Sequence, residues 1–131
     1  MSYRHTALME QQLVVIGVTL KQKEGNQEDI VARMKELMAR RQEKQPLEYP
    51  SAGSFFKRPL GHFAGALIEQ AGLKGYTVGG AQISEKHAGF IVNRGGATAA
   101  DIRQLCADVQ QIIREKDGVQ LEPEVRFIGE F

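Results

Sequence analysis

Apolar residues recur three and four positions apart over residues 26–45, a spacing that predicts an amphipathic helix. Asn26 can cap its first turn, acidic residues follow at once, and the helix should end before Pro46. The apolar positions that share one face are Ile30, Val31, Met34, Leu37 and Met38. Because such a stripe usually contacts a hydrophobic core, we expect these side chains to be buried.

Two further helices are predicted downstream. One runs from about residue 62 to residue 71 and is followed by Gly72, which suits the left-handed turn after a helix. The other is the clearest element of the chain, because Thr98 and Asp101 form a capping-box pattern at its start and Gly118 can close it. Its buried stripe should comprise Ile102, Leu105, Cys106, Val109, Ile112 and Ile113.

Strands are predicted where β-branched or alternating apolar residues are bounded by turn residues. Val14–Leu20 is one such apolar run, and shorter strands are expected near residues 54–56, 75–84 and 88–93. In the last run, residues 119–129, apolar side chains should alternate with a polar face that carries Glu122, Glu124 and Arg126. Three helices and four to six strands indicate an α+β domain, with a small mixed sheet packed against the helices.

Composition narrows the class of protein. A chain of 131 residues with 42% apolar and 25% charged residues is typical of one soluble globular domain. A net charge of +1 lacks the basic excess of a nucleic-acid-binding surface. No apolar run approaches the length of a membrane helix, and the polar start of the chain lacks the hydrophobic stretch of a signal peptide. With a single cysteine, these features indicate a cytoplasmic protein.

Three places could hold chemistry. Ser54 follows a glycine and precedes two phenylalanines and two cationic residues, the segment Ser84–His87 follows a Gly-Gly turn, and the last strand has a charged face. Each has a plainer interpretation, because a loop serine often bonds to nearby backbone and charges often lie on solvated surface. Spacing alone does not decide whether the three places converge.

Familiar cofactor motifs are missing from the sequence. There is no Walker loop and no glycine fingerprint of a dinucleotide-binding domain. The three histidines lack metal-ligand spacing with one another or with Cys106, so no metal site is predicted. Cys106 itself lies on an apolar helix stripe, where we expect an inert thiol.

Longer strings of the sequence carry a more specific signal. The chain contains "YRHTALMEQQLVVIGVTL", "KQPLEYPSAGSFFKRP", "HFAGALIEQAGLKGYTVGGAQISEKHAGFIVN", "ATAADI" and "LEPEVRFIGE". In this order they resemble the UDP-N-acetylenolpyruvoylglucosamine reductase (MurB) family over residues 3–131. Members of that family are longer, with an FAD-binding domain first and a substrate-binding domain last. The resemblance therefore implies that residues 1–20 are a remnant of the FAD-binding domain, ending in its terminal strand, and that residues 21–131 are the C-terminal substrate-binding domain.

The resemblance also implies an activity. Family members are bacterial cytoplasmic oxidoreductases that use FAD and NADPH to reduce the enolpyruvyl ether of UDP-N-acetylglucosamine enolpyruvate. The product, UDP-N-acetylmuramic acid, is a peptidoglycan precursor. The full-length protein would use both cofactors, whereas we expect this fragment alone to bind none and to be inactive. Its partners would be the small-molecule substrate and the missing N-terminal FAD domain, with no nucleic acid and no membrane.

Site residues carry over onto the positions that match the family's strings. The serine of "GSFFK" falls on Ser54, the expected proton donor, and the glycine before it would let the backbone approach closely. The arginine of "YR" falls on Arg4, a cation that would stabilise an enolate, and the glutamate of "EPEVR" falls on Glu124 rather than Glu122. Substrate contacts are expected from Lys44, Arg58, Gln82, Ser84 and His87, although Arg58 stands where some members have asparagine.

The sequence leads to two further structural expectations and leaves two alternative functions open. Ser54, Glu124 and the segment Ser84–His87 should line one concave face, and residues 1 to about 10 should be mobile. The chain could instead be a stand-alone module that binds a nucleotide sugar without catalysis, or a folded domain without a ligand that serves an assembly. Titration with UDP-N-acetylglucosamine would separate a binder from a non-binder, and flavin absorbance of the full-length protein would separate the enzyme from both.

Overall fold

The computed structural model describes Leu8 and residues 13–129, and it divides the chain into two compact units, residues 1–33 and 34–131. Helix α1 is Gln27–Lys44. As predicted, Asn26 caps it, because its Oδ1 accepts hydrogen bonds from the amides of Glu28 (2.9 Å) and Asp29 (3.1 Å).

The expected burial of the α1 stripe is wrong. No side chain of the helix is buried, and the five stripe residues are between 42% and 64% exposed. Helical spacing shows that one face of a helix is apolar, but it does not show that a neighbour covers that face.

The predicted strand over Val14–Leu20 is also wrong. Residues 13–26 form no regular element, and Ile16 is 99% exposed. A β-branched run favours extended backbone, but a strand needs a neighbour to complete its ladder of hydrogen bonds. No strand within the described ranges pairs with this run.

The sheet has four strands: β1 (Ser51–Ser54), β2 (Thr77–Val78), β3 (Ala81–Ile83) and β4 (Phe90–Asn93). Their order is β1-β4-β3-β2, and all three pairings are antiparallel. The α+β class is therefore confirmed, although the sheet is antiparallel rather than mixed. Short turns join β2 to β3 and β3 to β4, so these strands need none of the long crossovers that parallel pairing requires.

Helix α2 (Ala64–Gln70) starts slightly later than predicted and ends as predicted. Gly72 has a φ of +74°, its amide donates to the carbonyl of Glu69 (2.9 Å), and the amide of Leu73 donates to the carbonyl of Ile68 (3.1 Å). These two bonds form a Schellman motif, which satisfies carbonyl groups at the end of the helix.

The structure confirms the predicted start and end of helix α3 (Ala99–Asp117). The amide of Asp101 donates to Thr98 Oγ1 (3.1 Å), and the amide of Thr98 donates to Asp101 Oδ2 (2.8 Å). Gly118 closes the helix with a φ of +68°. The predicted stripe faces the core: Leu105, Cys106, Val109 and Ile113 are buried, and Ile102 and Ile112 are partly buried.

Helices α2 and α3 and one face of the sheet enclose the core, whose buried residues extend from Phe55 to Leu121. Burial of each large apolar side chain stabilises the fold by about 1.5–3 kcal/mol.

The last run, residues 119–129, shows the predicted alternation in burial, because Leu121 is buried while Glu122 and Glu124 are exposed. It forms only an isolated bridge, Phe56 with Pro123, rather than a regular strand. No helix among the described residues is long and apolar enough to cross a membrane.

Candidate active site

A bulge in β1 decides which way Ser54 faces. Ser51 pairs with Val92 and Ser54 pairs with Phe90, so three steps along β1 match two steps along β4. Gly53 supplies the extra residue with a φ of +86°, a conformation that glycine adopts readily. Because directly paired residues share a sheet face, the bulge brings Ser51 and Ser54 to the same face.

This outer face of the sheet carries Ser51, Ser54, Gln82, Phe90 and Val92, and it lies opposite the core-facing Ala81, Ile83 and Ile91. Ser54 is exposed, and its hydroxyl has no hydrogen-bond partner among the described residues. The plainer interpretation, a serine bonded to nearby backbone, describes Ser51 instead, because Ser51 Oγ accepts from the amide of Gly53 (3.3 Å).

The segment that contains Glu124 lies directly beside Ser54. The amide of Glu124 donates to the carbonyl of Phe55 (2.8 Å), and the amide of Lys57 donates to the carbonyl of Glu122 (2.8 Å). The Lys57 ammonium also pairs with the Glu122 carboxylate. Pro123 lies between these bonds, opposite Phe56, at a position where its missing N–H is not required. The backbone therefore holds Glu124 beside the residue that follows Ser54.

A cleft of about 310 Å³ includes outer-face residues in its lining. Its walls are Glu48, Tyr49, Gln82, Ser84, Glu85, Lys86, Val92 and Arg94. The Arg94 guanidinium lies 4.2 Å from the centre of the Tyr49 ring, and Lys86 Nζ lies 3.4 Å from a carboxylate oxygen of Glu48. The backbone amide of Glu48, followed by Lys86, lowers the pKa of the Glu48 carboxyl below its ordinary value.

Two of the predicted substrate contacts line this cleft. Gln82 Nε2 donates to the carbonyl of Gly75 (3.2 Å) and to Thr77 Oγ1 (3.1 Å), which leaves its Oε1 as an acceptor for a ligand. Ser84 is buried, and its Oγ accepts from the amides of Lys86 and His87 (3.2 Å each). Ser84 therefore holds the turn between β3 and β4, and its O–H remains as a donor.

His87 lies at the end of the same turn. Its Nδ1 accepts a hydrogen bond from the amide of Gly89 (3.0 Å), so the neutral ring carries its proton on Nε2. The side chain is exposed, which makes this N–H available to a ligand. His87 is not one of the residues that line the cleft.

The remaining predicted residues lie elsewhere. Lys44 is in the exposed last turn of α1, and the Arg58 guanidinium is stacked 4.0 Å from the centre of the Phe63 ring. Arg4 falls outside the described residues, as does nearly all of the segment predicted to be mobile. Tyr49 and Arg94 were not predicted as site residues, and Lys86 was predicted only as part of the segment Ser84–His87. The sequence gives no spacing signal for Tyr49 and Arg94, because the pairing of β1 with β4 brings them together.

A second cavity, of about 580 Å³, has mainly apolar walls between β1, the start of α3 and residues 125–128. None of the predicted catalytic or substrate-binding residues lines it. Across the part of the chain that the structure describes, no group of three or more His, Cys, Asp or Glu side chains could hold a metal ion.

Two glycine-rich turns, Gly79–Gly80 and Gly95–Gly96, do not fit the diphosphate of FAD. A Cβ at Gly79 would meet the Asp101 carboxylate at 2.4 Å, so an acidic group already fills the space beside that turn. At the Gly95–Gly96 turn, Asn93 Oδ1 accepts from the amides of Gly95 (2.8 Å) and Ala97 (3.2 Å). A phosphate cradle needs free backbone amides without a neighbouring carboxylate, and neither turn offers them.

Comparisons with known proteins show which family the chain resembles. Residues 45–128 match the family model described as UDP-N-acetylenolpyruvoylglucosamine reductase, C-terminal domain. The reductase of that name from Lachnoclostridium phytofermentans is 58% identical over 99% of this chain, and the one from Caldanaerobacter subterraneus subsp. tengcongensis is 53% identical over 98%. The chain spans 42% and 43% of the lengths of these two relatives.

A solved structure gives the same result in three dimensions. The crystal structure of UDP-N-acetylenolpyruvylglucosamine reductase (MurB) from Thermus caldophilus matches with a TM-score of 0.66 and 42% sequence identity. The match covers 81% of this chain and 37% of that one. The chain therefore belongs to the UDP-N-acetylenolpyruvoylglucosamine reductase (MurB) family and contains its C-terminal domain.

Proposed function

We propose that this chain is the substrate-binding portion of a bacterial, cytoplasmic reductase that acts on the enolpyruvyl ether of UDP-N-acetylglucosamine enolpyruvate. The observation that carries the proposal is the bulge at Gly53, which presents the exposed Ser54 hydroxyl on the outer face, beside the segment that holds Glu124. The names of the relatives support the same reaction.

Ser54 is the proposed proton donor. Hydride addition to the enolpyruvyl group leaves negative charge at its carboxylate end, as an enolate-like species, and a proton must then reach the neighbouring carbon. A serine hydroxyl is a weak acid, but a carbanion-like species is a strong enough base to take its proton. The exposure of Ser54 and its lack of a partner within the described ranges leave the O–H available for this transfer.

The other residues hold the substrate and its developing charge. Glu124 would hydrogen-bond the enol, and Arg4 would supply a fixed positive charge near the carboxylate. Gln82 Oε1, the Ser84 O–H and His87 Nε2 are the atoms that remain for substrate after the internal bonds are counted. Lys44 and Arg58 are proposed as further substrate contacts.

FAD, recharged by NADPH, supplies hydride to such a reaction when it is bound. Since the turns at Gly79–Gly80 and Gly95–Gly96 do not fit its diphosphate, we assign both cofactors to the N-terminal part of the longer relatives. Residues 1–20 would be the remnant of that FAD-binding domain.

A second candidate function is binding of a nucleotide sugar without catalysis. The observation in its favour is the cleft beside Gln82 and Arg94. Titration of the chain with UDP-N-acetylglucosamine, followed by amide chemical shifts, tests binding. We expect saturable shifts around Tyr49, Gln82 and Lys86, and none at Gln111 on the far side of α3. Absence of saturable shifts would count against both functions.

Catalysis is tested in a full-length reductase that contains this sequence. We expect Ser54→Ala to lower kcat by about 10²-fold or more with little change in KM, as for an interaction made in the transition state. Ser51→Ala is the matched control, because Ser51 lies on the same strand and the same face, and it should retain activity. Equal activity of both variants would refute the role of Ser54, and normal binding with that result would favour the non-catalytic module.

A further inference from the structure

The His87 ring is held from three sides, although the residue is exposed. Its Nδ1 accepts the hydrogen bond from the amide of Gly89 (3.0 Å). Its ring meets the ring of Phe90, the sheet partner of Ser54, edge to face with 4.9 Å between the centroids. The start of α2 supplies the third contact, because a Cβ added at Gly65 would lie 3.4 Å from His87 Cε1. Fixed contacts of this kind preorganise a side chain for a ligand.

Gly89 makes room for this ring because it has no side chain. A Cβ at residue 89 would lie 3.0 Å from His87 Cε1 and 3.2 Å from His87 Nδ1, closer than ordinary van der Waals contact. The next nearest atom, Gly65 Cα, would lie 3.9 Å away, which is an ordinary contact. Gly89 does not have the positive φ that favours glycine. The His87 ring, and not a left-handed backbone, therefore excludes a side chain at this position.

The backbone of Gly89 also connects His87 to the proposed catalytic residues. The carbonyl of Gly89 accepts a hydrogen bond from the amide of Phe55 (2.9 Å), the residue that follows Ser54. The carbonyl of Phe55 in turn accepts from the amide of Glu124 (2.8 Å). One residue thus holds the His87 ring with its amide and the segment of Ser54 with its carbonyl, which fixes the two relative to each other.

From these contacts we infer that Gly89 is a positioning residue of the reductase site and that it acts through His87. Its amide occupies Nδ1, so the neutral ring carries its proton on Nε2. Its lack of a side chain keeps the ring where this N–H can donate to an oxygen atom of the nucleotide sugar. The inference rests on the proposed function in that His87 must contact substrate, but it does not require that Ser54 is the proton donor.

Nuclear magnetic resonance of the 131-residue chain tests the geometry without substrate. At pH 8 we expect a scalar coupling across the hydrogen bond between the amide nitrogen of Gly89 and His87 Nδ1. Gly89→Ala should abolish this coupling, because the added methyl group displaces the ring. Gly17→Ala is the control and should retain it, since no atom lies within 4 Å of a Cβ at that position. Absence of the coupling in the parent chain, or its persistence in Gly89→Ala, would overturn the inference.

Steady-state kinetics of a full-length reductase that contains this sequence test the consequence for substrate. Gly89→Ala should raise KM about tenfold, as for the loss of one hydrogen bond to a ligand. The value of kcat should stay within about threefold, because the contact is made equally in the ground state and the transition state. His87→Ala should raise KM to a similar extent. Gly89→Ala added to His87→Ala should raise KM no further, since the ring that excludes the methyl group is then gone.

The double variant separates positioning from a merely structural role. If Gly89→Ala raises KM by the same factor with and without the His87 ring, Gly89 acts on the fold and the inference is wrong. It is also wrong if His87→Ala leaves KM unchanged, because His87 then makes no contact with substrate. The proposed reductase function fails by a different result, equal activity of Ser54→Ala and Ser51→Ala, so the two failures are distinguishable.

Discussion

Gly53 controls the orientation of Ser54 through its backbone conformation. No atom lies within 4 Å of the position that a Cβ would occupy, so the requirement for glycine comes from the φ of +86° and not from a protein neighbour. Gly53→Ala should destabilise the protein by about 1–2 kcal/mol, the usual penalty of a left-handed conformation. Urea unfolding measures this, with Gly17→Ala as the control, because Gly17 has open space and no positive φ. Equal stability of the two variants would mean that the bulge is not needed.

A second prediction about single residues compares the effects on kcat of substituting Glu124 and Glu122. In a full-length reductase, Glu124→Gln should lower kcat by about 10²-fold or more with little change in binding, whereas Glu122→Gln should remain within about threefold. Glu122 pairs with Lys57, so its contribution is to hold the segment rather than to contact substrate. Steady-state rates of the two variants, measured side by side, test this prediction. A large loss at Glu122 with none at Glu124 would mean that the family's glutamate was matched to the wrong position.

The residues around Ser54 made it one of three candidate places, and its role as proton donor came only from the resemblance. Neither could predict how Ser54 is presented. The bulge depends on pairing with Val92 and Phe90, which lie far along the chain. Likewise, nothing in local spacing brings Tyr49 to Arg94. Local patterns report the faces of one element, whereas the site depends on register between elements.

At the scale of elements, the capping box of α3 links stability to pH. The backbone amide of Thr98, followed by its side chain, lowers the pKa of Asp101. Because the folded-state pKa is depressed, this stabilisation is present above the unfolded value of about 3.9 and is lost as the pH falls through the folded value. Thr98→Ala should lower stability at pH 7 by about 1 kcal/mol, with a smaller difference near pH 2. Urea unfolding at the two pH values measures both effects, and Thr98→Ser, which keeps the cap, is the control. An identical loss at both values would contradict the role of Asp101.

The helices and strands also show how far sequence patterns alone can predict structure. Helix α3 was predicted in full because its caps and its stripe are local and agree with each other. Residues 75–84 were predicted as a strand with a turn, and the structure forms the hairpin of β2 and β3 there. Burial of the α1 stripe and the strand over Val14–Leu20 failed because both require a neighbour, and a sequence pattern does not contain the neighbour.

At the scale of the whole molecule, Cys106 reports on opening of the core. Burial raises the pKa of its thiol to about 11, and the side chain is 3% exposed. We expect no reaction with a disulfide reagent at pH 8 in the native protein and rapid reaction in denaturant, because the thiolate is the reactive form. The native rate should rise with urea in parallel with unfolding. Fast labelling of the native protein would show that α3 opens locally.

The last prediction concerns flavin binding by this chain. The purified 131-residue chain should be colourless and should not oxidise NADPH, because its described glycine turns do not fit the diphosphate of FAD. Absorbance in the visible bands of oxidised flavin checks this, with the full-length reductase as the positive control. A stoichiometric yellow preparation would contradict it.

Pro123 has a consequence for solubility. In its bridge with Phe56, the neighbouring amide of Glu124 and carbonyl of Glu122 point inward, toward residues 55–57. The nitrogen and the carbonyl group of residue 123 itself point outward. Because residue 123 is a proline, it offers a carbonyl acceptor there but no amide donor. A second polypeptide that approached this edge to extend the sheet would lack a hydrogen-bond donor at its centre. The proline thus protects the segment that holds Glu124 from edge-to-edge aggregation while leaving its inward hydrogen bonds intact.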